Sequence, residues 1–428
     1  MKKIIWIIII LILAGALGLG AYWVFDRQEN GGPSRGNISI GDFFPFGQGG
    51  EPVPFEPVVV DPNPIPTNPA VLPRLWKISQ NPQSGAGFLI RDGDNFIRFI
   101  DTATGNIFEN RVSDFTLSRI SNTTIPKIKE VTWLTSGNDA ILRYMNDAGV
   151  IQTMYAKISP PKPTANAGTT ETVNATSSAV ASEIEVRELQ ELQATFLPGN
   201  INALALFGAK GRIFYVVENG GGNGVGYTAL ADGTRPAKIF ESPINEWSVS
   251  WPRENTIVIT TKPSALALGY SYMLNSTSGA LERLLGGVAG LSVNPAPNLV
   301  KVIYSESTAT GPTLKLFDVK TGARTVITKT FAEKCLWQKD NIRIICAVPK
   351  NFPSGTFPDN WYDGQITLTD SISQINTETG QSVVIADLRE LAGTEIDVIN
   401  LMIDTAENNL LFTNKKDSSL WKFQINEQ

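Results

Sequence analysis

The chain has 428 residues, with 36 Lys and Arg against 41 Asp and Glu, two Cys and no His. Without an imidazole, Ser-His-Asp and Cys-His nucleophilic sites, His-ligated zinc and the HExxH metalloprotease helix are excluded, and two cysteines cannot build a four-thiolate metal site. A formal charge of −5, with no basic block beyond Lys2 and Lys3, leaves nothing to neutralise a phosphate backbone, so nucleic acid is not expected as a partner.

After the two lysines, Ile4 to Phe25 form an uncharged run of 22 residues. As a helix it is roughly 33 Å long, enough to cross a bilayer core. Ala14-Gly15-Ala16 resembles a signal-peptidase site, which leaves cleavage as the alternative. The run continues past Ala16, and Tyr22 and Trp23 are interfacial aromatics that anchor a helix end, so residues 1–25 read as a retained signal anchor. Lys2 and Lys3 place the N-terminus in the cytoplasm and everything after residue 25 outside it. Ala14, Ala16, Gly18 and Gly20 supply small-residue spacings that could pair two such helices, a weak signal in a membrane segment.

Residues 26–72 shift to Gly and Pro, through GGPSRG, FGQGGEPVP and DPNPIPTNP, with no helical or strand period. This is a linker, able to hold the next domain between roughly 40 and roughly 145 Å from the membrane. Phe43, Phe44 and Phe46 are unusual in a solvated spacer; docking on the membrane surface or on the chain's own domain is favoured over a recognition motif.

From residue 73 onward the signal is repetition. A short apolar strand, a polar turn and a second strand rich in β-branched residues recur seven times, with third residues at Leu89, Trp133, Leu206, Trp251, Val293, Trp337 and Ile403. Four of the six spacings lie near 44, and the two long ones contain a low-complexity insert at about 160–182 and a long loop from Asn351 to Gly364. A second element appears as IDTATG, LNSTSG, FDVKTG and INTETG, in which Asn or Asp bonds back to its own backbone and Gly supplies the positive φ that closes a hairpin. After the insert, SEIEVRELQELQ reads as a short acidic helix. Four-stranded units at this period predict an all-β, seven-bladed β-propeller over 73–428. The last segment, SSLWKFQINEQ, stops one strand short, and LWKIS from Leu75 to Ser79 is expected to supply the missing outermost strand and close the ring.

With these repeats, residues 75–428 resemble the WD-repeat-like and Tol-type seven-bladed propellers, although there is no WD dipeptide and no strong Gly-His signature. The lysine-led anchor, the Pro/Gly stem and the segments DTATGNIFEN and SNTTIPKIKEVTW are also similar to uncharacterised bacterial membrane-anchored propeller proteins, which lend no activity. Peptidases with a propeller carry a separate hydrolase domain, and this chain has no GxSxG.

Cys335 and Cys346 flank the sixth hairpin, and a two-residue turn at Asp340-Asn341 places them opposite each other. Outside the membrane they are expected to form a structural disulfide. The resemblance to propellers implies that the loops joining second to third strands share a ligand-binding face with the blade-to-blade connections. ENGGGNGVG, KPSALALGY, ESTATGPT and VPKNFPSGTFPDNWYDGQ are the candidates, and Phe352, Phe357, Trp361 and Tyr362 are the aromatics through which a protein or sugar would bind. A compact loop packed on its own aromatics is the competing and favoured reading. Asp92, Asp94, Asp404 and Glu407 sit at turns and complete no calcium loop, so no metal or cofactor is expected. The expected function is a non-catalytic binding or assembly module of the cell envelope, meeting a protein or glycan partner. The alternative is a carbohydrate-active or lactonase-like enzyme working through Asp and Glu, with calcium if any metal.

Overall fold

A computed structural model describes residues 73–113, 116–121, 124–159, 190–208 and 211–426. The signal anchor, the stem and the low-complexity insert therefore lie outside the described residues.

The described residues form seven antiparallel four-stranded sheets, the blades of a propeller. Blades 1 to 6 run over residues 83–119, 128–196, 201–242, 247–289, 292–328 and 335–387, each in consecutive strand order. Blade 7 takes Val398–Ile403, Asn409–Asn414 and Leu420–Gln424, and its fourth strand is Leu75–Lys77 from the other end of the described chain. Leu75, Trp76 and Lys77 lie opposite Phe423, Lys422 and Trp421, so the ring closes as the repeat pattern predicts. The edge that blade 7 would otherwise expose is covered, which removes a template for intermolecular pairing.

All seven third residues of the repeated hairpin lie in first, innermost strands. The second strands carry consecutive buried apolar residues, such as Ile213-Phe214-Tyr215-Val216 and Ile257-Val258-Ile259, because each blade packs on both faces against its neighbours. Trp133 and Trp337 donate their indole N–H to Gly85 O and Asn294 O, on the inner strands of the preceding blades, at 3.3 and 3.1 Å.

The Asx-Gly element has the expected chemistry. Asp101, Asn275, Asp318 and Asn376 each accept from two N–H groups two and three residues on, and Gly105, Gly279, Gly322 and Gly380 take φ between 71 and 74°. Its position varies: the first copy joins second to third strand of blade 1, whereas the other three join third to fourth strands of blades 4, 5 and 6.

Two local expectations are corrected. Glu191–Phe196 is the fourth strand of blade 2, so the end of SEIEVRELQELQ is extended where a helix was expected; pairing with Ile151–Ser159 overrides a weak local helical preference. The sixth hairpin turn is longer than two residues: Gln338 N–H bonds Arg343 O, and the Asp340 carboxylate takes the N–H groups of Ile342 and Arg343. The register survives, with Cys335 opposite Cys346, and the two form a disulfide with Cα atoms 4.0 Å apart.

Candidate functional site

Strand direction defines two faces. The upper face carries the second-to-third-strand loops and the blade-to-blade connections; the lower face carries the first-to-second-strand turns. All four unusual loops are upper-face loops of this kind, in blades 3, 4, 5 and 6.

The longest, residues 350–369 of blade 6, folds on itself. Thr356 N–H and Gln365 Oε1 meet the side-chain amide of Asn360 at 2.6 Å each, and a helical turn spans Asp359–Tyr362. Beneath it lies an aromatic cluster. Phe331, in the connection from blade 5, stacks on Trp361 with centroids 4.7 Å apart and meets Phe352 edge-on at 6.3 Å, while Phe352 meets Phe357 edge-on at 5.3 Å. Phe357 and Trp361 are buried, Trp361 to 3% exposure, and Phe352 and Tyr362 are half-buried. The structure therefore brings all four sequence-selected aromatics together, as the core and margin of a cap whose rings mostly face each other.

Neighbouring blades hold the cap. Asp359 accepts from Ser264 Oγ at 2.6 Å and Ala265 N at 2.9 Å, both on the blade 4 loop. Ser307 Oγ of blade 5 donates to Phe357 O, and Tyr362 donates to Glu333 Oε1 at 2.7 Å. On the blade 7 side, Trp361 Nε1 and Leu368 N donate to Asp397 Oδ2 at 2.9 and 2.8 Å, and Lys415 Nζ lies 5.4 Å from the Trp361 ring centre. Under the cap, fully buried Lys334 bridges Asp370 Oδ2 at 2.7 Å, Asp397 Oδ1 at 2.6 Å and Val398 O at 3.0 Å. Sequence reading missed Phe331, Lys334, Asp370 and Asp397; the setting of Asp397 between Ile396 and Val398 is the one hint of a buried carboxylate.

Burial pushes the Asp370 carboxyl up, even with Lys334 beside it. Glu333 keeps a solvent-exposed face, yet desolvation raises its carboxyl against the Tyr362 hydroxyl and the Lys334 charge that hold it down. Tyr362 is pushed far up by desolvation and by Glu333. Burial also acts to raise Asp359, but the Ser264 and Ala265 donors outweigh it and hold the carboxyl below its usual range.

Among the described residues, Asp370 and Asp397 are the carboxylates brought together, and both are buried on the Lys334 ammonium. Asp404 bonds the N–H groups of Asn408 and Asn409 within its own turn, Glu407 takes the N–H of Lys339 in the neighbouring blade 6 hairpin, and Asp94 lies 3.9 Å from Arg111 on another strand of blade 1. Among the described residues, no group of three or more Asp, Glu or Cys side chains is placed to hold a metal ion. Beside the cap, Leu266 and Leu268 of the blade 4 loop are 84% and 59% exposed. In the lower half of the central channel a cavity of about 370 Å3 lies between the inner strands of blades 4 to 7.

No protein-family model matches the chain, and no curated protein matches its sequence. Solved structures match its fold. Oligogalacturonate lyase from Vibrio parahaemolyticus aligns over 82% of this chain and 94% of its own, at 7% identity and a TM-score of 0.52. The tricorn protease aligns over 77% of this chain at 13% identity and a TM-score of 0.36, and the chain spans only 28% of that protein's length. TolB from Acinetobacter baumannii aligns over 80% of this chain and 79% of its own, at 11% identity and a TM-score of 0.38. At such identities the likeness is one of fold.

Proposed function

We propose that this protein is a single-pass membrane protein whose propeller stands outside the cytoplasm as a non-catalytic binding or assembly module of the cell envelope, meeting a protein or glycan through its upper face. The observation that carries this reading is Leu266 and Leu268, exposed beside a cap that Asp359 ties to the same loop. Apolar side chains presented from a fixed position are what a partner buries at the centre of an interface. Phe352 and Tyr362 supply the half-buried margin of that surface, and Phe357 and Trp361 support it from beneath.

Asp404 and Glu407 are taken up by backbone N–H groups, and Asp370 and Asp397 are buried on Lys334, which favours binding over the alternative of an Asp/Glu-dependent carbohydrate-active or lactonase-like enzyme. The Cys335–Cys346 disulfide favours an oxidising compartment. Residues 4–25 would supply the membrane contact; among the described residues no helix is long and apolar enough to cross a bilayer.

The test is affinity purification of the tagged full-length protein from its native membranes, beside Leu266→Asp and a version lacking residues 75–428. Partners lost with both changes support the upper-face reading. Partners retained by Leu266→Asp move the surface elsewhere. No propeller-dependent partner under mild crosslinking would overturn the binding module and send the soluble propeller to glycan and calcium screens.

A further inference from the structure

Lys334, Asp370 and Asp397 have no solvent exposure, and they lie beneath the apolar cluster of Phe331, Phe357, Trp361 and Leu368. The Trp361 ring centre is 5.0 Å from Lys334 Nζ. An ion pair in such a dry setting loses its water on both sides, a cost that a neutral group in the same place would not carry.

The two carboxylates are not equivalent. Asp397 uses both oxygens: Oδ1 holds Lys334 at 2.6 Å, and Oδ2 takes Trp361 Nε1 and Leu368 N. Asp370 uses Oδ2 alone, which meets Lys334 Nζ at 2.7 Å and Val398 N at 2.6 Å. Its Oδ1 is buried and has no hydrogen-bond partner among the described residues. A buried polar atom left in this way is costly and calls for a reason. An oxygen that departs needs no partner. Burial also pushes the Asp370 carboxyl up, toward the neutral acid whose carbon an amine can attack.

We propose that Lys334 and Asp370 condense to an intramolecular isopeptide bond, with Asp397 as the proton acceptor, so that the folded chain modifies itself beneath the cap. One proton passes from the ammonium to Asp397 Oδ1. The electron pair freed on Nζ bonds to Asp370 Cγ, and the Cγ–Oδ1 bond breaks. Oδ1 leaves as water, carrying the carboxyl proton and a second proton from Nζ. The three groups sum to zero charge before and after the step. Oδ2 becomes the amide oxygen and keeps the N–H of Val398. Because the site excludes water, the reverse reaction lacks its co-reactant. The bond would close a loop of sequence separation 36 that holds the Cys335–Cys346 disulfide and the cap. The inference is independent of which partner the upper face meets.

The test is peptide mapping by mass spectrometry of the purified full-length chain, denatured, reduced and cut with trypsin. Condensation blocks cleavage after Lys334 and joins peptide 330–339 to peptide 351–389, at their summed mass less one water, with fragmentation placing the link at Lys334 and Asp370. Asp370→Ala should abolish the joined species and restore cleavage after Lys334. Separate peptides from the parent, cut after Lys334, overturn the proposal whether or not the variant folds. A joined species that persists in Asp370→Ala overturns it as well, since the link would then lie elsewhere.

Discussion

The indole N–H of Trp361 meets Asp397 Oδ2 at 2.9 Å, while the other oxygen of the same carboxylate holds the Lys334 ammonium at 2.6 Å. One buried carboxylate thus joins the cap of blade 6 to the start of blade 7 and to the connection from blade 5. The cap is continuous with the core of the propeller, and removing it should register globally.

Trp361→Ala is expected to lower unfolding free energy by about 3–5 kcal/mol, the range for deleting a large buried aromatic. Trp361→Phe keeps a ring against Phe331 but loses the donor to Asp397 and part of the buried ring volume; the lost hydrogen bond alone is worth about 1–3 kcal/mol. Denaturant titration of both variants checks this. A Trp361→Ala protein as stable as the parent would mean that the cap is loosely applied.

Deleting residues 72–80 removes the closing strand and uncovers the edge of Leu420–Gln424. Calorimetry should show a lower and broader transition, with aggregation through the bare edge. A truncated protein that melts as cooperatively as the parent would show that three residue pairs contribute nothing to closure. This relationship was legible in sequence because the last repeat stops one strand short and LWKIS has the composition of an outer strand.

Reducing the Cys335–Cys346 bond opens a loop with a sequence separation of 11, so the expected loss is about 2–3 kcal/mol in the chain-entropy model. The ladder around it should persist, because Leu336 and Trp337 keep their partners Ile345 and Ile344. Unfolding with and without reductant gives the difference, and a Cys335→Ser/Cys346→Ser protein should be indifferent to reductant.

Asp359 has a folded pKa below that of a free carboxyl. Its bonds to Ser264 and Ala265 therefore stabilise the cap above the ordinary carboxylate range, and that contribution is lost as pH falls through the folded value. Hydrogen exchange at Ala265 N–H should quicken on acidification relative to its intrinsic rate. Asp359→Asn, which has no charge to lose, should remove that pH dependence; an unchanged profile would show that Asp359 does not control it.

The repeats, the register of the sixth hairpin and the closure of the ring could be read from the chain itself, because a strand's neighbours in a blade are close in sequence and leave a regular trace. The burial of polar groups could not. Arg98 and Glu109 look like outward residues of a hairpin, yet both are buried and 2.9 Å apart, with Arg91 on the same carboxylate and Gly137 O of the next blade 2.6 Å from Arg98. Asp370 and Asp397 lie 36 and 63 residues beyond Lys334, and Phe331 meets Trp361 only because the connection from blade 5 and the long loop of blade 6 converge. Local pattern encodes which residues form strands and turns. Which charges are desolvated, and which aromatics face each other instead of solvent, depends on how seven blades pack around one axis, and only the tertiary structure decides that.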